Sequence, residues 1–466
     1  MSLDALGERV QADLALLNYD SPTWVRPRRE GPAHVYDVVI VGGGQSGLGA
    51  AFGLRRQRID NILVIDENPA GQEGPWATYA RMITLRTPKH LTSIDLGVPS
   101  LTFRAWYEAQ HGRAGWDELG KIPRATWMAY LRWFRTMIGV PVRNEARLAR
   151  IEPQGDGVHR LHVAGDTLLA RKVVLATGIQ GGGQWHVPAG IAAKLPPHRY
   201  AHTSAVIDFR SLAGKRIAIL GGGASAFDNA QHALAENVAE AHVFLRRKAF
   251  QRVNPIRYME RSGLVARFAA MDDADKYAVM ASFFARSQPP TNDTFERASA
   301  HPGFRLHLGA PWLDVAETAA GVVVTTPQGE WIFDFLLLST GLVTDPALRP
   351  ELGALAEDIL RWRDRYAPPD AIRNPVIDDH PYLGPGFQYL ARTAAGAARL
   401  RGLFAFNYSG LISLGLSAAA LSGLEHAVPR LVEGIAAGLF ADDRDAMLDE
   451  FLGYAEEEFD GAREAT

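Results

Sequence analysis

The chain contains no cysteine among its 466 residues. Disulfide bonds, thiolate metal sites and iron–sulfur clusters are therefore excluded. The same absence excludes enzymes that pass electrons through a redox-active pair of cysteines.

The chain also lacks a strong excess of charge and a long uninterrupted apolar run. Its formal net charge is -3, which gives no electrostatic reason to expect nucleic acid or an acidic membrane surface as a partner. The first residues show no basic segment followed by an apolar core, the pattern of a secretory signal. The most apolar stretch, residues 410–440, is interrupted by charged residues and by Pro429, and predicts buried helices rather than a membrane span. We therefore expect a cytoplasmic protein.

Motifs for metal or hydrolytic chemistry are missing as well. The 14 histidines show no H-E-x-x-H spacing, and no G-x-S-x-G nucleophile turn occurs. The sequence predicts no metal site.

What the chain does contain is one pattern used twice. Residues 36–41 form a β-branched run typical of a strand buried in a parallel sheet, and a glycine turn, a helical stretch and a second apolar strand follow it. The pattern begins again at Lys215. Each copy is a βαβ unit, so the predicted fold class is α/β, with two Rossmann-type dinucleotide-binding domains, the second inserted in the first.

The predicted domain limits follow from these two units. They are residues 1–35 for an N-terminal extension, 36–205 for the first part of the first domain, 206–335 for the second domain with an insertion at about 254–311, and 336–466 for the rest of the first domain and the C-terminal helices. Residues 73–120 are rich in aromatic residues, proline and threonine without a clean period, and we expect them to form a long, partly irregular cover over a ligand. Residues 331–339 are expected to form a strand, and the insertion is expected to be mixed helix and loop.

The first glycine turn reads GGGQSG. In a dinucleotide-binding turn Gly42 makes the tight bend, Gly44 lets the backbone approach a pyrophosphate, and Gly47 lets the helix pack close to the strand. Gln45 and Ser46 begin the helix, whose free N–H groups attract phosphate. These residues are therefore predicted to bind a nucleotide.

An acid stands where such a turn requires one. Asp66 lies nineteen positions after Gly47, at the end of the second strand, where a carboxylate accepts hydrogen bonds from ribose hydroxyls. Glu67 follows it and is a second candidate for the same role. We therefore expect the first nucleotide to carry a free 2′-hydroxyl.

The second turn reads GGGASA and begins at Gly221. Gly223, Ala224 and Ser225 are predicted to bind a second pyrophosphate, by the same arguments from the turn and the helix N-terminus. The third glycine position holds Ala226, which this fingerprint permits.

The position that is acidic in the first unit is basic in the second. Arg246 lies twenty positions after Ala226, and Arg247 follows it. A guanidinium binds a 2′-phosphate in bidentate fashion, whereas a carboxylate would repel it. The second site is therefore predicted to take NADP(H). The alternative is that the two arginines form a solvated basic pair at the domain edge.

The residues of the first unit by themselves allow either NAD or FAD. Two nicotinamides cannot usefully transfer hydride to each other, whereas a flavin links NADPH to a further acceptor. We therefore predict FAD in the first domain and NADP(H) in the second.

Three shorter motifs accompany the glycine turns. They are EGPW at residues 73–76, ATG at 176–178 and STG at 339–341. Together with the turns they resemble the motifs of the class B flavoprotein monooxygenases, the group of flavin-containing monooxygenases, Baeyer–Villiger monooxygenases and N-hydroxylases, in which EGPW is similar to a GG-x-W motif. The resemblance covers residues from about 36 to about 440.

The resemblance implies roles for further residues. Those expected near the FAD are Trp76, Thr87, Pro88, Thr177, Gly178, Gly341 and Ser409. His202 stands where that family has a functional histidine and is expected to act in catalysis, the alternative being a linker histidine bonded to the backbone. Arg252 and Asn254 follow the second strand of the NADP(H) unit and are expected to line the substrate pocket.

The resemblance also implies the reaction. NADPH would reduce the flavin, O₂ would add to give a C4a-(hydro)peroxyflavin, and one oxygen atom would pass to a nitrogen, a sulfur or a carbonyl carbon of a small organic substrate. One alternative is an NADPH-dependent flavin reductase or diaphorase that passes electrons to a separate acceptor. Another is a redox-sensing module that binds both nucleotides without turnover. The aromatic-rich stretch from Trp76 to Trp133 favours a closed pocket and hence the monooxygenase.

Overall fold

The computed structural model describes residues 2–91, 94–286 and 288–459. The strands, in chain order, are β1 (Arg29–Glu30), β2 (Ala33–Val41), β3 (Ile62–Ile65), β4 (Val142–Arg143), β5 (Leu148–Gly155), β6 (Val158–Val163), β7 (Asp166–Leu175), β8 (Gly183–Trp185), β9 (Tyr200–His202), β10 (Arg216–Leu220), β11 (Glu240–Leu245), β12 (Phe304–Leu308), β13 (Asp314–Thr318), β14 (Gly321–Thr326), β15 (Gly329–Phe333), β16 (Phe335–Leu338), β17 (Leu342–Thr344) and β18 (Leu403–Phe404).

The α-helices, in chain order, are α1 (Leu3–Leu16), α2 (Gln45–Arg56), α3 (Phe103–Glu118), α4 (Arg124–Ile138), α5 (Ala189–Ala192), α6 (Ala224–Ala235), α7 (Pro255–Arg261), α8 (Leu264–Arg267), α9 (Asp273–Arg286), α10 (Asn292–Ser299), α11 (Trp362–Arg365), α12 (Pro375–Asp378), α13 (Ala394–Leu400), α14 (Leu411–Leu414) and α15 (Leu421–Gly453). Short 3₁₀ turns connect several of them.

The first domain is built on a sheet in the order β4-β3-β2-β7-β6-β5, with β1 beside β2 and β18 beside β7. Its centre is parallel, and β5, β6 and β7 form an antiparallel meander. Val38 and Ile40 of β2 pack with the helices on one face, and Val39 and Val41 pack against the opposite core. This confirms the prediction from the β-branched run, because a central parallel strand is covered on both faces.

The second domain is built on five parallel strands in the order β12-β11-β10-β16-β9. One face of β10 packs through Ile217 and Ile219 on helix α6, and the other packs through Ala218 on the antiparallel sheet of β13, β14 and β15. Both predicted βαβ units are therefore present, as is the predicted α/β fold with two dinucleotide-binding domains.

The chain passes between the domains twice, and the two passages pair with each other. Strand β8 leads from the first sheet towards the second, and β17 leads back. They form an antiparallel ribbon in which Trp185 lies opposite Leu342 and Gly183 lies opposite Thr344. Because β18 then joins β7, the second domain is inserted in the first.

The domain limits at 205/206 and 335/336 stay predictions. The second sheet also contains β9, which precedes residue 206, and β16, which begins at Phe335. Strands β9 and β16 pair with each other in this sheet. The strands of the second domain therefore begin before residue 206 and end after residue 335.

Two local predictions need correction, and a third gains detail. The regular part of the predicted, partly irregular cover is the 16-residue helix α3, whose apolar period is interrupted where Gly112 takes φ 67°. The single strand expected over residues 331–339 is two strands in different sheets, because the chain turns at Asp334. The expected insertion of helix and loop also contains β12, an edge strand of the second sheet.

The apolar stretch near the C-terminus forms α14 and the 33-residue helix α15, which includes Pro429. Leu424, Val428 and Leu431 of α15 are buried in the core that also contains α2. In the parts of the chain that are described, no helix combines the length and apolar character needed to cross a membrane.

Candidate nucleotide sites and active site

The first glycine turn is too crowded for side chains at two of its positions. Gly42 has φ 111°, and a β-carbon there would overlap the carbonyl oxygen of Ala176 at the end of β7. A β-carbon on Gly47 would overlap the carbonyl oxygen of Gly42. At Gly44, by contrast, the nearest atom to an added β-carbon is the Cα of Gly74 at 3.6 Å, an ordinary van der Waals contact, so the backbone is less crowded there. This is the arrangement that a pyrophosphate requires.

The helix behind this turn offers backbone N–H groups rather than side chains. Helix α2 starts after its N-cap Gly44 and has no acidic residue in its first turn. The Ser46 hydroxyl donates to the carbonyl of Ala418 at 2.6 Å, and the Gln45 side chain accepts from the indole of Trp127 at 3.2 Å. Because the Ser46 hydroxyl is engaged, a contact of Ser46 with phosphate would be made by its main-chain N–H.

Of the two candidate acids, the structure brings only Asp66 to the turn. Its buried carboxylate accepts the backbone N–H groups of Gly43 at 2.7 Å and of Asn68 at 2.8 Å. Glu67 is exposed and faces Arg147 at 3.6 Å. Successive residues at a strand end point in opposite directions, which explains the difference.

A cavity of about 330 Å³ opens beside the first turn. Leu48, Met128 and Leu131 give it apolar walls suited to an adenine ring. Glu73 and Arg135 also line it, and they form an ion pair at 2.5 Å in which Glu73 is buried. The sequence shows Glu73 only as part of EGPW, and no local signal connects it to Arg135.

The open turn, the buried acid and the apolar cavity together fit the ADP portion of FAD. The ATG motif lies next to them. The Asn407 side chain donates to the Thr177 hydroxyl at 3.2 Å and accepts the N–H of Ser409 at 2.9 Å, and the Tyr408 N–H donates to the Gly178 carbonyl at 3.1 Å. The structure thus joins two segments that the sequence assigns to the same cofactor.

Three of the residues expected near the FAD, which are Trp76, Thr87 and Pro88, lie in residues 76–88 of the first domain, the flavin-side segment. Trp76 and Thr87 are half-buried. The indole nitrogen of Trp76 is buried and has no hydrogen-bond partner among the described residues. The carbonyl of Trp76 accepts from Arg124 at 3.0 Å, which holds the backbone of this segment on helix α4. Core packing therefore explains the position of the Trp76 ring, but not its buried indole N–H, which has no partner among the described residues.

The aromatic cover gives less support to a closed pocket than the sequence suggests. Phe103, Trp127 and Tyr130 pack against one another in tilted and edge-on arrangements, with ring centroids 5.0 to 5.5 Å apart. All three are buried in the core of the first domain. These rings stabilise the fold of the cover rather than line a substrate pocket.

The STG motif packs against the second glycine turn. Gly221 has φ 122°, and a β-carbon there would overlap the carbonyl oxygen of Ser339. The carbonyl of Ser339 therefore crowds the first glycine of the second turn, as the carbonyl of Ala176 crowds the first glycine of the first turn. Gly341 follows β16 of the second sheet, and its carbonyl accepts the N–H of His186 at 2.9 Å. Its contact with FAD stays a prediction.

The second turn is also open where a phosphate would approach. Gly223 is the N-cap of α6, and the nearest atom to an added β-carbon is 3.9 Å away. Ala224 follows as the first residue of the helix, and the Ser225 hydroxyl donates to the hydroxyl of Thr203 at 3.0 Å. Ala226 is fully buried, so the third position accommodates a methyl group here, unlike Gly47.

The two arginines after β11 differ in their contacts. Arg247 donates to the carbonyl of Ala285 at 2.9 Å. Arg246 is exposed and makes no hydrogen bond or ion pair with the residues that the structure describes. Of the two, Arg246 has its guanidinium available for a 2′-phosphate.

His202 ends β9, in the second sheet. Burial lowers the pKa of His202 to about 4, against the opposing effect of the Gly341 carbonyl. The imidazole is therefore neutral at pH 7. Its Nδ1 accepts the N–H of Ser204 at 3.1 Å, which leaves the proton on Nε2. The backbone contact expected of a linker histidine is thus present, and a catalytic role stays a prediction.

Asn254 has a structural task in addition to its predicted place in the pocket. It is the N-cap of α7, and its side-chain oxygen accepts the N–H of Ile256 at 3.1 Å. Arg252 is exposed. The same helix contacts the flavin-side segment, because Arg257 donates to the carbonyl of Arg86 at 2.9 Å.

Comparison with known sequence families agrees with this geometry. The model of an FAD-NAD(P)-binding family matches residues 39–180, which include the first turn and ATG. The model of the family described as L-lysine 6-monooxygenase/L-ornithine 5-monooxygenase matches residues 117–283, which include the second turn. The fold and its two nucleotide sites define a flavin-dependent monooxygenase of class B, as the motifs predicted.

Solved structures share this fold. The ornithine hydroxylase from Pseudomonas aeruginosa superposes with a TM-score of 0.68 at 18% identity, over 87% of this chain and 100% of its own. The L-lysine 6-monooxygenase from Pseudomonas syringae gives a TM-score of 0.65 at 16% identity, over 86% and 99%. The ornithine N-hydroxylase from Kutzneria sp. 744, solved with reduced FAD, NADP⁺ and L-ornithine, gives 0.65 at 17% identity, over 86% and 99%.

A relative with much higher identity gives the family. The FAD-dependent urate hydroxylase from Xanthomonas campestris pv. campestris is 65% identical over 463 residues, which are 99% of this chain and 98% of that protein. The chain belongs to the family of this hydroxylase. It is therefore a FAD-dependent oxidoreductase, and the prediction of an FAD- and NAD(P)-binding enzyme is confirmed.

Proposed function

We propose that the chain hydroxylates urate, using NAD(P)H and O₂. The observation that carries this proposal is the 65% identity, over nearly the whole length of both chains, to a FAD-dependent urate hydroxylase. In the balanced reaction urate, O₂, NAD(P)H and a proton give hydroxylated urate, NAD(P)⁺ and water. Urate and O₂ are the small molecules that this proposal requires. A cytoplasmic location and the absence of nucleic acid or membrane partners stay predictions.

The chain's own residues supply the binding sites for this reaction. Gly44 and the N–H groups at the start of α2 would hold the FAD pyrophosphate, and Asp66 would accept hydrogen bonds from the adenosine ribose. Gly223 and the start of α6 would do the same for the coenzyme. Bound FAD would accept a hydride from the coenzyme and activate O₂ for transfer of one oxygen atom.

The substrate is proposed to bind where the two domains meet, near the flavin-side segment. Sites for small molecules occur preferentially at domain interfaces. The bond from Arg257 to the carbonyl of Arg86 supports this placement, because it brings α7, capped by Asn254, to the segment that contains Thr87. The protein would orient urate here and exclude water from the reacting face.

NADPH is proposed as the preferred coenzyme. The free guanidinium of Arg246 at the end of β11 supports this proposal, since a 2′-phosphate distinguishes NADPH from NADH. An NAD-selective site would instead carry an acid at this position.

The test is a turnover assay on the purified yellow holoenzyme. Urate loss is followed by its ultraviolet absorbance, NADPH oxidation is followed in parallel, and hydrogen peroxide is measured at the end. We expect urate to accelerate NADPH oxidation, with urate and NADPH consumed in equal amounts and little peroxide. L-Ornithine and L-lysine serve as control substrates. NADPH oxidation that urate does not accelerate, with all of its electrons recovered in peroxide, would refute the proposal and favour a reductase.

A further inference from the structure

Arg86 and Asp228 form an ion pair that joins the two domains. Arg86 belongs to the flavin-side segment of the first domain, and Asp228 lies on α6, five residues after the N-cap Gly223. The guanidinium Nη2 contacts Oδ2 of the carboxylate. The side chain of Asp228 is 5% exposed and that of Arg86 is 23% exposed. The contact is therefore part of the interface and not a surface pair.

Burial makes Asp228 dependent on this partner. Burial raises the pKa of the Asp228 carboxyl, and the charge and hydrogen bond of Arg86 oppose that rise. The second oxygen, Oδ1, is buried and has no hydrogen-bond partner in the described part of the chain. Removing one member of such a pair leaves the other charge without compensation.

A second contact holds the same segment from another side. Arg257 on α7 donates through Nη2 to the backbone carbonyl of Arg86 at 2.9 Å, and its Nη1 pairs with Glu260 at 3.1 Å. Arg86 is thus bound to two helices of the second domain, through its side chain and through its main chain. The next residue is Thr87, which the motifs assign to the flavin.

The pair therefore lies between the two nucleotide sites. Helix α6 begins at the turn predicted to hold the coenzyme, and the segment after Arg86 is predicted to contact the flavin. Hydride transfer requires the reacting atoms to lie about 3 to 3.5 Å apart, and a misplacement of about 1 Å costs about 100-fold in rate.

We propose that Arg86 and Asp228 are positioning residues for the reduction of FAD by NAD(P)H. The pair fixes α6 relative to the flavin-side segment, and so fixes the coenzyme relative to the flavin. In this step a hydrogen leaves the coenzyme with its electron pair, the coenzyme becomes NAD(P)⁺, and FAD is reduced. The proposal depends on the FAD and NAD(P) chemistry of the family and not on urate.

The experiment compares Asp228→Asn and Arg86→Lys with Asp293→Asn. Asp293 also joins the domains, through Lys121 at 2.5 Å, but that pair is exposed at 33% and 40%. Exposed pairs contribute little. Each holoenzyme is mixed anaerobically with increasing NADPH in the absence of urate, and the loss of oxidised flavin absorbance is recorded. This separates the limiting rate of reduction from the Kd of the coenzyme.

We expect Asp228→Asn to lower the limiting rate by about 10- to 100-fold while the Kd for NADPH changes by less than about threefold. Arg86→Lys, which keeps the charge without the planar guanidinium, should retain part of the rate. Asp293→Asn should reduce at the rate of the unaltered enzyme. The long-wavelength charge-transfer absorbance of reduced enzyme with NADP⁺ reports ring stacking directly, and should weaken in Asp228→Asn only.

Unchanged limiting rates in both Asp228→Asn and Arg86→Lys would overturn the proposal. So would an equal loss in Asp293→Asn. If both interface variants fail to retain FAD, the pair acts in folding and the proposal is again refuted. A failure of urate hydroxylation would leave these results unaffected, because no measurement here contains urate.

Discussion

The rings of Trp185 and His202 are stacked, with centroids 5.0 Å apart and planes 17° from parallel. Trp185 lies on β8, between the domains, and Tyr79 of the first domain packs edge-on against it at 6.1 Å. His202 is therefore enclosed by aromatic surface on the side that faces the first domain. This enclosure explains why the pKa of His202 is low, since the imidazolium would lose its hydration there.

Buried histidines predict a loss of stability in acid. Burial lowers the pKa of His202 and of His380 to about 4, from 6.5. Between these values the unfolded chain binds more protons than the folded chain, so the free energy of unfolding falls as the pH falls from 6.5 to 4. Each histidine should contribute about 3 kcal/mol to this loss by pH 4. Chemical denaturation at pH 7, 6, 5 and 4 measures it.

His380→Asn is the variant that isolates one of these contributions. His380 is fully buried and donates from Nδ1 to the carbonyl of Val376 at 2.6 Å, a bond that an asparagine amide can replace. The difference in unfolding free energy between pH 7 and pH 4 should shrink by about 3 kcal/mol in this variant. The exposed His34 supplies the control, His34→Asn. Equal pH dependence in all three proteins would contradict the prediction.

Gly47→Ala and Ala226→Gly form a matched pair at the third position of the two turns. A methyl group at Gly47 would overlap the carbonyl of Gly42, whereas the methyl of Ala226 is already accommodated. We expect Gly47→Ala to purify with little bound FAD, and Ala226→Gly to keep its FAD at a cost of about 1 kcal/mol in stability. Flavin absorbance per protein and thermal unfolding check both. Full FAD content in Gly47→Ala would show that the turn does not hold the flavin nucleotide.

Arg246→Ala should change the coenzyme preference. Losing a charge-assisted bond to the 2′-phosphate costs about 1 to 3 kcal/mol, so the KM for NADPH should rise by about 5- to 150-fold. The KM for NADH should hardly change, since NADH has no phosphate there. Lys248→Ala removes the same charge from the neighbouring exposed surface and serves as control. Equal effects on both coenzymes would assign Arg246 to something other than the 2′-phosphate.

Asp442→Asn should destabilise the first domain. Asp442 of α15 lies 2.6 Å from the ammonium of Lys172 on β7, and both side chains are buried. Without this carboxylate the buried Lys172 loses its compensating charge, at a cost of about 3 to 5 kcal/mol. Asp166→Asn, which breaks an exposed pair with Arg143, should cost less than about 1 kcal/mol. The two denaturation midpoints in urea give the comparison, and similar values would show that α15 does not depend on the pair.

The sequence predicts those parts of the sites that a few consecutive residues determine. The first turn is an example, because its glycines follow a fixed spacing and the crowding at Gly47 comes from the carbonyl of Gly42 in the same turn. The acid at the strand end is predicted by spacing, and the alternating environment of β2 follows from its unbroken apolar run. In each case the sequence signal lies within about twenty residues, although some of the packing partners are distant.

Contacts between distant segments are not visible in the sequence. Arg86 pairs with Asp228, 142 positions later, and Glu73 pairs with Arg135, 62 positions later. Neither pair forms a motif, because each depends on how two domains or two elements pack. The one available signal is an acid inside an apolar helix, which Asp228 provides on α6. The sheet to which β16 belongs is likewise not visible in the sequence, so the position of Gly341 after a strand of the second sheet could not be predicted.

The ribbon of β8 and β17 has a mechanical consequence. Two unpaired linkers would let the domains twist and separate in several directions, whereas two hydrogen-bonded linkers must bend together. Such a paired connection restricts relative rotation more than two free strands would. The shared core of Phe268 and Tyr277 with Trp362 and Leu411 adds a second attachment away from the ribbon, so the two halves of the enzyme are held together at two separate places.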